Sequence, residues 1–381
     1  MQILADENIP FVKELFTNLG SVHTVLGRDL SHANLGDAEI LLVRSVTQVN
    51  DKLLANSGIR FVGTATIGLD HIDLDYLQQQ QIGFTSAPGS NAIAVAEYVL
   101  SALLIIAQRQ NFQLHDKTVG IIGCGHVGSQ VLNQLQALGI KCLIYDPPLQ
   151  EQKPSSMYVD LKTVLSADII TLHIPLEKTG RYPTYHLVNR EFLAQLRDDA
   201  ILLNTSRGAV VDETALLETL ARRPAMTVIL DVWQNEPNIN PFLLQQVTLG
   251  TPHIAGYSFD GKVRGTEMLY AAVCDYFQIS PTWTAKTSLP EPPLTHLAFS
   301  KTVDDNNALH TAVMASYDIR RDDAALRQMK HATQPGIYFD QLRKNYPVRR
   351  ELSCIKIELP PEKATLAAQL KGLGFQIQEN K

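Results

Sequence analysis

The chain has few of the features that would give it away at once. Four cysteines in 381 residues, at 124, 142, 274 and 354, fit no disulfide framework and no zinc spacing. Each is expected to be a buried, reduced thiol. The eleven histidines include no H-x-x-x-H pair with a glutamate nearby, so no metal site is expected. No stretch approaches the ~20 apolar residues of a membrane helix. The longest candidate, Val99 to Ala107, contains Ser101 and is bracketed by Glu97 and Arg109. The first residues, Met1 to Glu7, lack a basic region and meet acid too early for a signal peptide. Excess positive charge is missing too: a net charge of −6 gives no general attraction to nucleic acid or anionic lipid. Internal repeats and low-complexity tracts are absent. The expectation is a cytoplasmic protein with no nucleic-acid or membrane partner.

What is present is an ordinary core-forming composition, 45% hydrophobic and 19% charged, with 22 Gly and 19 Pro. The length allows two or three domains. Short apolar runs alternate with helical stretches through the first ninety residues. Strands are expected at Ile3 to Ala5, Ile40 to Val43 and Arg60 to Val62, with a helix from Pro10 to Leu19 closed by Gly20. A long apolar helix follows from about Ala92 to Arg109. A second alternation starts at Thr118, with strands at 119–122, 141–145, 168–172, 200–203 and 227–230. Such alternation means parallel sheets covered by helices. Near residue 257 the pattern changes, and a helix from about Lys262 to Phe277 returns toward the first domain. Ser288 to Pro293 reads as a stiff linker. Beyond it the charge turns over: residues 281–381 carry +3 and the remainder −9. This tail reads as strand, helix, an irregular basic segment, strand, helix and strand, a third and smaller α/β domain.

Gly123-Cys-Gly-His-Val-Gly128 directly follows a strand and opens a helix. Gly123 permits the tight turn, Gly125 lets backbone N–H groups approach a pyrophosphate, and Gly128 lets helix and strand pack closely. The helix N-terminus adds partial positive charge. Asp146 ends the next strand, where a carboxylate accepts hydrogen bonds from an adenosine ribose. That acid repels a 2′-phosphate, and Pro147-Pro148 stand where an arginine would favour NADP. The cofactor expected is NAD.

Three further residues follow buried strands. Arg207 lies in Leu203-Asn-Thr-Ser-Arg-Gly-Ala-Val-Val-Asp212, Glu236 in Leu230-Asp-Val-Trp-Gln-Asn-Glu-Pro237, and His253 in Thr251-Pro-His-Ile-Ala-Gly-Tyr257. Each alone fits a plain structural role. Together they lie beyond the carboxyl ends of strands that carry a dinucleotide motif, where such sheets bind ligands. They also form a chemical set: a base for a hydroxyl proton, an acid to hold that base, and a cation for a carboxylate.

With Val62-Gly-Thr-Ala-Thr-Ile-Gly-Leu-Asp-His-Ile-Asp73, these blocks resemble the D-isomer-specific 2-hydroxyacid dehydrogenases over about residues 40–280. The resemblance implies an α/β fold of two doubly wound parallel-sheet domains. A Rossmann-type NAD domain (93–256) is inserted in a flavodoxin-like substrate domain (1–92 and 257–285), and a small C-terminal α/β dimerisation domain (286–381) follows. It implies that Arg207 binds the substrate carboxylate and carbonyl oxygen, that His253 exchanges the proton, and that Glu236 orients it. Cofactor contacts are implied for Gly123, Gly125, His126, Val127, Gly128, Asp146, Ile174, Thr205, Ser206, Asp231 and Gly256. Ile174 stands where relatives often carry Thr, which leaves a backbone contact there. Closure over hinges near residues 92 and 257 is expected to exclude water.

Arg44-Ser-Val-Thr47, Asn91-Ala-Ile-Ala-Val-Ala-Glu-Tyr98 and Ala255-Gly-Tyr-Ser258 resemble a narrower branch of that family, which oxidises 4-phospho-D-erythronate in vitamin B6 biosynthesis. So do Tyr317 to Asp323, Leu342 to Tyr346 and Arg349-Arg350-Glu351 of the tail. This branch implies a homodimer through the extra domain, and substrate contacts from Ser45, Thr66 and Tyr257. Arg44 is the first candidate to hold the substrate phosphate, with Arg349 and Arg350 second. Two other readings are a 3-phosphoglycerate dehydrogenase with a regulatory tail and an NAD-sensing corepressor-like module. Asp146 makes the cofactor preference testable: KM for NAD should lie well below KM for NADP, and the reverse order would overturn this reading.

Overall fold

A computed structural model describes residues 1–282 and 289–379. Ser288, the first residue of the expected linker, and the boundary expected at 285–286 lie outside the described residues. The chain forms two compact units, Met1–Asn91 with Ser258–Glu291, and Ala92–Tyr257 with Pro292–Lys381.

The smaller unit is built on five parallel strands, β1 (Gln2–Asp6), β2 (Ser21–Val25), β3 (Ile40–Val43), β4 (Phe61–Thr64) and β5 (Gly83–Thr85), in the order β2-β1-β3-β4-β5. Every residue of β3 and β4 is buried, as expected of parallel strands covered by helices on both faces. The edge strands β2 and β5 escaped the sequence reading because they are only partly buried and show no apolar run. The expected helix at 10–19 is shorter, Val12–Phe16, because Phe11 takes a left-handed conformation with φ 55°. Helix Phe259–Tyr276 belongs to this unit and buries Leu269, Tyr270 and Val273 with Ile3, Phe16 and Phe61.

The larger unit holds six parallel strands, β6 (Thr118–Ile122), β7 (Lys141–Tyr145), β8 (Ile169–Leu172), β9 (Ile201–Asn204), β10 (Thr227–Leu230) and β11 (Leu249–Gly250). Their order is β11-β10-β9-β8-β6-β7, so the winding reverses between β6 and β8. Ligands bind such sheets at that reversal, outside the carboxyl ends of the strands. Helix Ala92–Gln110 is long and apolar enough to cross a membrane by composition, but 83% of its most apolar 18-residue stretch is buried within the protein.

The tail adds a parallel sheet of its own, β12 (His296–Ala298), β13 (Lys356–Leu359) and β14 (Gln376–Glu379). Its core is not its own. Leu309, Val313, Leu366 and Leu370 join the same apolar cluster as Leu103, Val131 and Ile140 of the dinucleotide-motif half. Gly372 packs so closely that a β-carbon there would lie 2.4 Å from the Ala137 methyl. The segment expected to be irregular instead forms helices Arg320–Arg327 and Pro335–Lys344. Arg320-Arg-Asp-Asp323 hides the signal, because the apolar residues that anchor these helices, Leu326 and Phe339, are few and face another part of the chain. The cysteines form no disulfide; Cys124 and Cys274 are buried as expected, whereas Cys142 and Cys354 are half-buried.

One ionic cluster fastens the tail. The Arg349 guanidinium donates to Ala94 O (2.8 Å), Ala255 O (3.2 Å) and Glu97 Oε2 (3.3 Å), and its central carbon lies 3.6 Å from the Tyr317 ring centroid. Leu352 N donates to Glu97 Oε1 at 2.7 Å. Burial pushes the Glu97 carboxyl up to about 8 against the pull of Arg349, and Glu351 adds to the rise. An acid whose folded pKa is raised stabilises the fold at low pH and loses that contribution as pH climbs through the folded value. The stability advantage of wild type over Glu97→Gln should therefore shrink between the normal carboxylate range and about pH 8. Thermal unfolding of both proteins across that range checks it; an advantage that grows with pH would contradict the assignment.

Candidate active site

The glycine loop leaves β6 at the reversal of the larger sheet. Gly123 has φ 86°, a conformation that glycine adopts freely, and a β-carbon there would sit 2.5 Å from the His173 carbonyl oxygen and 2.6 Å from Ile174 Cγ2. The loop after β8 can thus lie flush against the loop after β6. At Gly128 a β-carbon would fall 2.0 Å from Gly123 O, which is the helix-to-strand contact expected of the third glycine. Gly125 differs: its β-carbon position has no atom within 4 Å, leaving open space beside the N-terminus of helix His126–Ala137. His126 and Val127 form the first turn. The cradle therefore suits a dinucleotide phosphate, held by backbone N–H groups and the helix dipole. Asp146 accepts from Cys124 N at 2.7 Å and Leu149 N at 2.9 Å, so it clamps the loop as well as capping the next helix. A carboxylate keeps lone pairs beyond these two bonds for ribose hydroxyls.

His173 lies at the same edge. Its ring nitrogens meet Thr171 Oγ1 (2.9 Å) and Thr205 Oγ1 (3.1 Å), and burial pushes its pKa down to about 3. The ring is neutral at any working pH and serves as a hydrogen-bonding strut. Ser206 is likewise committed inward, its hydroxyl donating to Asn204 Oδ1 at 2.7 Å. Asn204 Nδ2 donates to Arg207 O at 2.9 Å, which fixes the backbone that presents Arg207. Beyond it, a β-carbon on Gly208 would overlap the Trp233 carbonyl group, so the loops after β9 and β10 meet backbone to backbone. The Arg207 guanidinium donates to Ser206 O at 2.8 Å.

Glu236 and His253 are joined directly, Oε2 to Nδ1 at 2.7 Å, with the side chains 20% and 34% exposed. Trp233 N donates to the other carboxylate oxygen at 2.9 Å. Burial raises the Glu236 pKa, but His253, Trp233 N and Arg343 together bring it below the usual carboxylate range. An ionised carboxylate only accepts, so Nδ1 carries the shared proton, and in the neutral ring the lone pair falls on Nε2. His253 itself has φ 57°, an uncommon conformation outside glycine. Asp231 holds it there. Its buried carboxylate accepts from Thr251 Oγ1 (2.6 Å), Ile254 N (2.8 Å) and Ala255 N (2.9 Å), and its carbonyl accepts from His253 N (2.7 Å). Tyr98 OH in turn meets Thr251 Oγ1 at 2.7 Å. Gly256 and Tyr257 end the same turn. The supporting residues Tyr98, Thr251 and Trp233 lie within the sequence blocks named above, but nothing in the sequence assigns them a supporting role.

In the smaller unit Arg44 and Ser45 follow β3 directly. Arg44 Nε donates to the buried Asp6, at the end of β1, at 2.8 Å, and Ser45 is exposed. β1 and β3 flank the reversal of that sheet, again the place where ligands bind. Thr66 Oγ1 is tied to Thr64 Oγ1 (2.8 Å) and Gly68 O (3.1 Å). Of the tail arginines, Arg349 is 4% exposed at its side chain and occupied as described above, which closes it to a phosphate. Arg350 faces Cys354 Sγ at 3.0 Å.

The model of the family "D-isomer specific 2-hydroxyacid dehydrogenase, NAD binding domain" matches residues 105–255, and a domain family of unknown function matches 288–374. Erythronate-4-phosphate dehydrogenase of Hahella chejuensis is 47% identical over 379 residues, 99% of each chain. That of Marinobacter nauticus is 45% identical over 99% of this chain and all of its own length. Among solved structures, D-lactate dehydrogenase from Aquifex aeolicus, complexed with NAD and lactic acid, is 27% identical with a TM-score of 0.59, covering 73% of this chain and 96% of its own. NAD-bound 3-phosphoglycerate dehydrogenase of Entamoeba histolytica is 25% identical with a TM-score of 0.62, covering 73% and 95%. The chain belongs to the erythronate-4-phosphate dehydrogenase family of the D-isomer-specific 2-hydroxyacid dehydrogenases.

Proposed function

We propose that the chain oxidises 4-phospho-D-erythronate to 3-hydroxy-2-oxo-4-phosphobutanoate with NAD, a step of pyridoxal phosphate biosynthesis. The observation that carries this is the likeness to the family along 99% of the chain, tail included. NAD, when bound, accepts the hydride that leaves C2. The glycine cradle, with Asp146, Ile174, Thr205, Ser206, Asp231 and Gly256, is the set of residues assigned to hold it.

His253 Nε2 takes the C2 hydroxyl proton as the hydride departs, and in the reverse direction returns it. Glu236 keeps the ring in the tautomer that makes this possible and stabilises the imidazolium that results. Arg207 grips the carboxylate with its planar fork and polarises the oxygen at C2 as it becomes a carbonyl. Arg44, Ser45, Thr66 and Tyr257 are assigned to the substrate. The domain division is proposed as 1–92 with 257–285 for substrate, 93–256 for NAD, and 286–381 for assembly of a homodimer, with the protein in the cytoplasm.

Mixing pure protein with NAD and 4-phosphoerythronate should generate the absorbance of reduced cofactor. Silence in that assay with tight NAD binding retained would sink the proposal and favour a cofactor-sensing module. His253→Ala should lower kcat by on the order of a thousandfold while the Kd for NAD stays near wild type. A parallel loss of NAD affinity would make His253 a structural residue instead.

A further inference from the structure

Arg343 is a cation that the reaction scheme above does not use. It sits in the last turn of tail helix Pro335–Lys344, whose other end is pinned by Phe339 in the core and by the approach of Gly336 to Asn238 Oδ1. That second contact sets the helix beside the loop that carries Glu236. The guanidinium carbon lies 5.8 Å from the Tyr257 ring centroid, and Tyr257 is braced edge-on by Tyr346 at 5.7 Å. The same guanidinium is close enough to Glu236 to help keep that carboxylate ionised. Yet its Nε–H is buried and has no hydrogen-bond partner among the described residues.

A buried, charged N–H without an acceptor is costly, and folded proteins seldom keep one; the other arginine in that state here, Arg349, has its terminal nitrogens committed inside the protein. The Arg343 guanidinium already engages the Tyr257 side chain and feels the charge of Asp340, but neither supplies an acceptor for Nε. What fills the gap must bring an oxygen acceptor, and a guanidinium that lies next to an acid–base pair matches an anionic one best. Resting on the proposed reaction, where Arg207 takes the substrate carboxylate, one anion of the substrate is left. We infer that Arg343 binds the substrate phosphate and thereby selects phosphorylated acids. This assigns a role in catalysis-linked recognition to the tail, the part of the chain whose family model carries no function.

The test compares wild type with Arg343→Gln and Arg343→Lys, using 4-phosphoerythronate and plain erythronate. Arg343→Gln should cut the preference for the phosphorylated acid about thirtyfold, the worth of one charged hydrogen bond. Arg343→Lys should restore part of it, since the charge returns without the planar fork. NAD affinity and melting temperature, measured alongside, show that the tail remains folded. An unchanged preference overturns the inference. So does an equal loss on both acids with a displaced pH profile, because Arg343 would then act only on the Glu236–His253 pair. Calorimetry of inorganic phosphate binding to the NAD complex separates this from the reaction itself. If wild type fails to oxidise 4-phosphoerythronate, the proposed function falls, while phosphate binding that weakens in Arg343→Gln still upholds the anion site, and phosphate binding that does not weaken removes it.

Discussion

Asp231 follows β10 directly, out of reach of water, and its carboxylate gathers the Thr251 hydroxyl and the Ile254 and Ala255 N–H groups. Those bonds hold His253 in a left-handed conformation that its side chain would otherwise avoid. The turn so formed points the ring at Glu236, which the Trp233 N–H holds from the other side. Burial works against a charged Asp231 and raises its pKa, whereas His253 and the three donors pull the other way. The acid–base pair proposed here therefore depends on a carboxylate that never meets the substrate hydroxyl. Tyr98 extends the support back to the long helix Ala92–Gln110 through Thr251.

That helix is also where the tail is fastened. Glu97, one residue before Tyr98, takes the Arg349 guanidinium and the Leu352 N–H, so the tail and the His253 turn are braced from adjacent residues of one helix. Arg349 further donates to Ala255 O, inside the turn itself. The charge buried here is that of Arg349, and removing an acceptor such as Glu97 would strand it. Its value here is positional. Helix Pro335–Lys344 then brings Arg343 to Tyr257, so a segment with its own small sheet has become part of the surroundings of the acid–base pair.

Much of the site was legible along the chain. The glycine loop, Asp146 and the residues after β9, β10 and β11 each adjoin a buried apolar strand, and their spacing follows from how such strands and helices alternate. The tail was harder. Its helices carry Arg320-Arg-Asp-Asp323 and only a few apolar anchors, and their apolar partners, such as Val247 and Leu244, belong to a distant stretch of sequence. The edge strands β2 and β5 were hidden for a related reason, since half-exposed strands need no apolar run. In the sequence Arg343 is one residue of the tail motif Leu342 to Tyr346, while Arg349 and Arg350 are the tail candidates for the phosphate. Arg343 and Arg349 both keep a buried Nε–H without a partner, but burial closes Arg349, whose terminal nitrogens are spent on Ala94, Ala255 and Glu97, and leaves Arg343 half-buried beside Tyr257.

The residue order alone determined the two doubly wound parallel sheets, the dinucleotide cradle and the set of Arg207, Glu236 and His253, because all of these rest on local periodicity and on turns that only glycine permits. Tertiary structure decided which polar groups are already satisfied and which are not. It committed Asp231 to the His253 turn, Asn204 to the Arg207 loop and Arg349 to Glu97. Hydrogen-bond capacity is consumed by whatever lies nearest in space, and for these residues the nearest partners are set by packing.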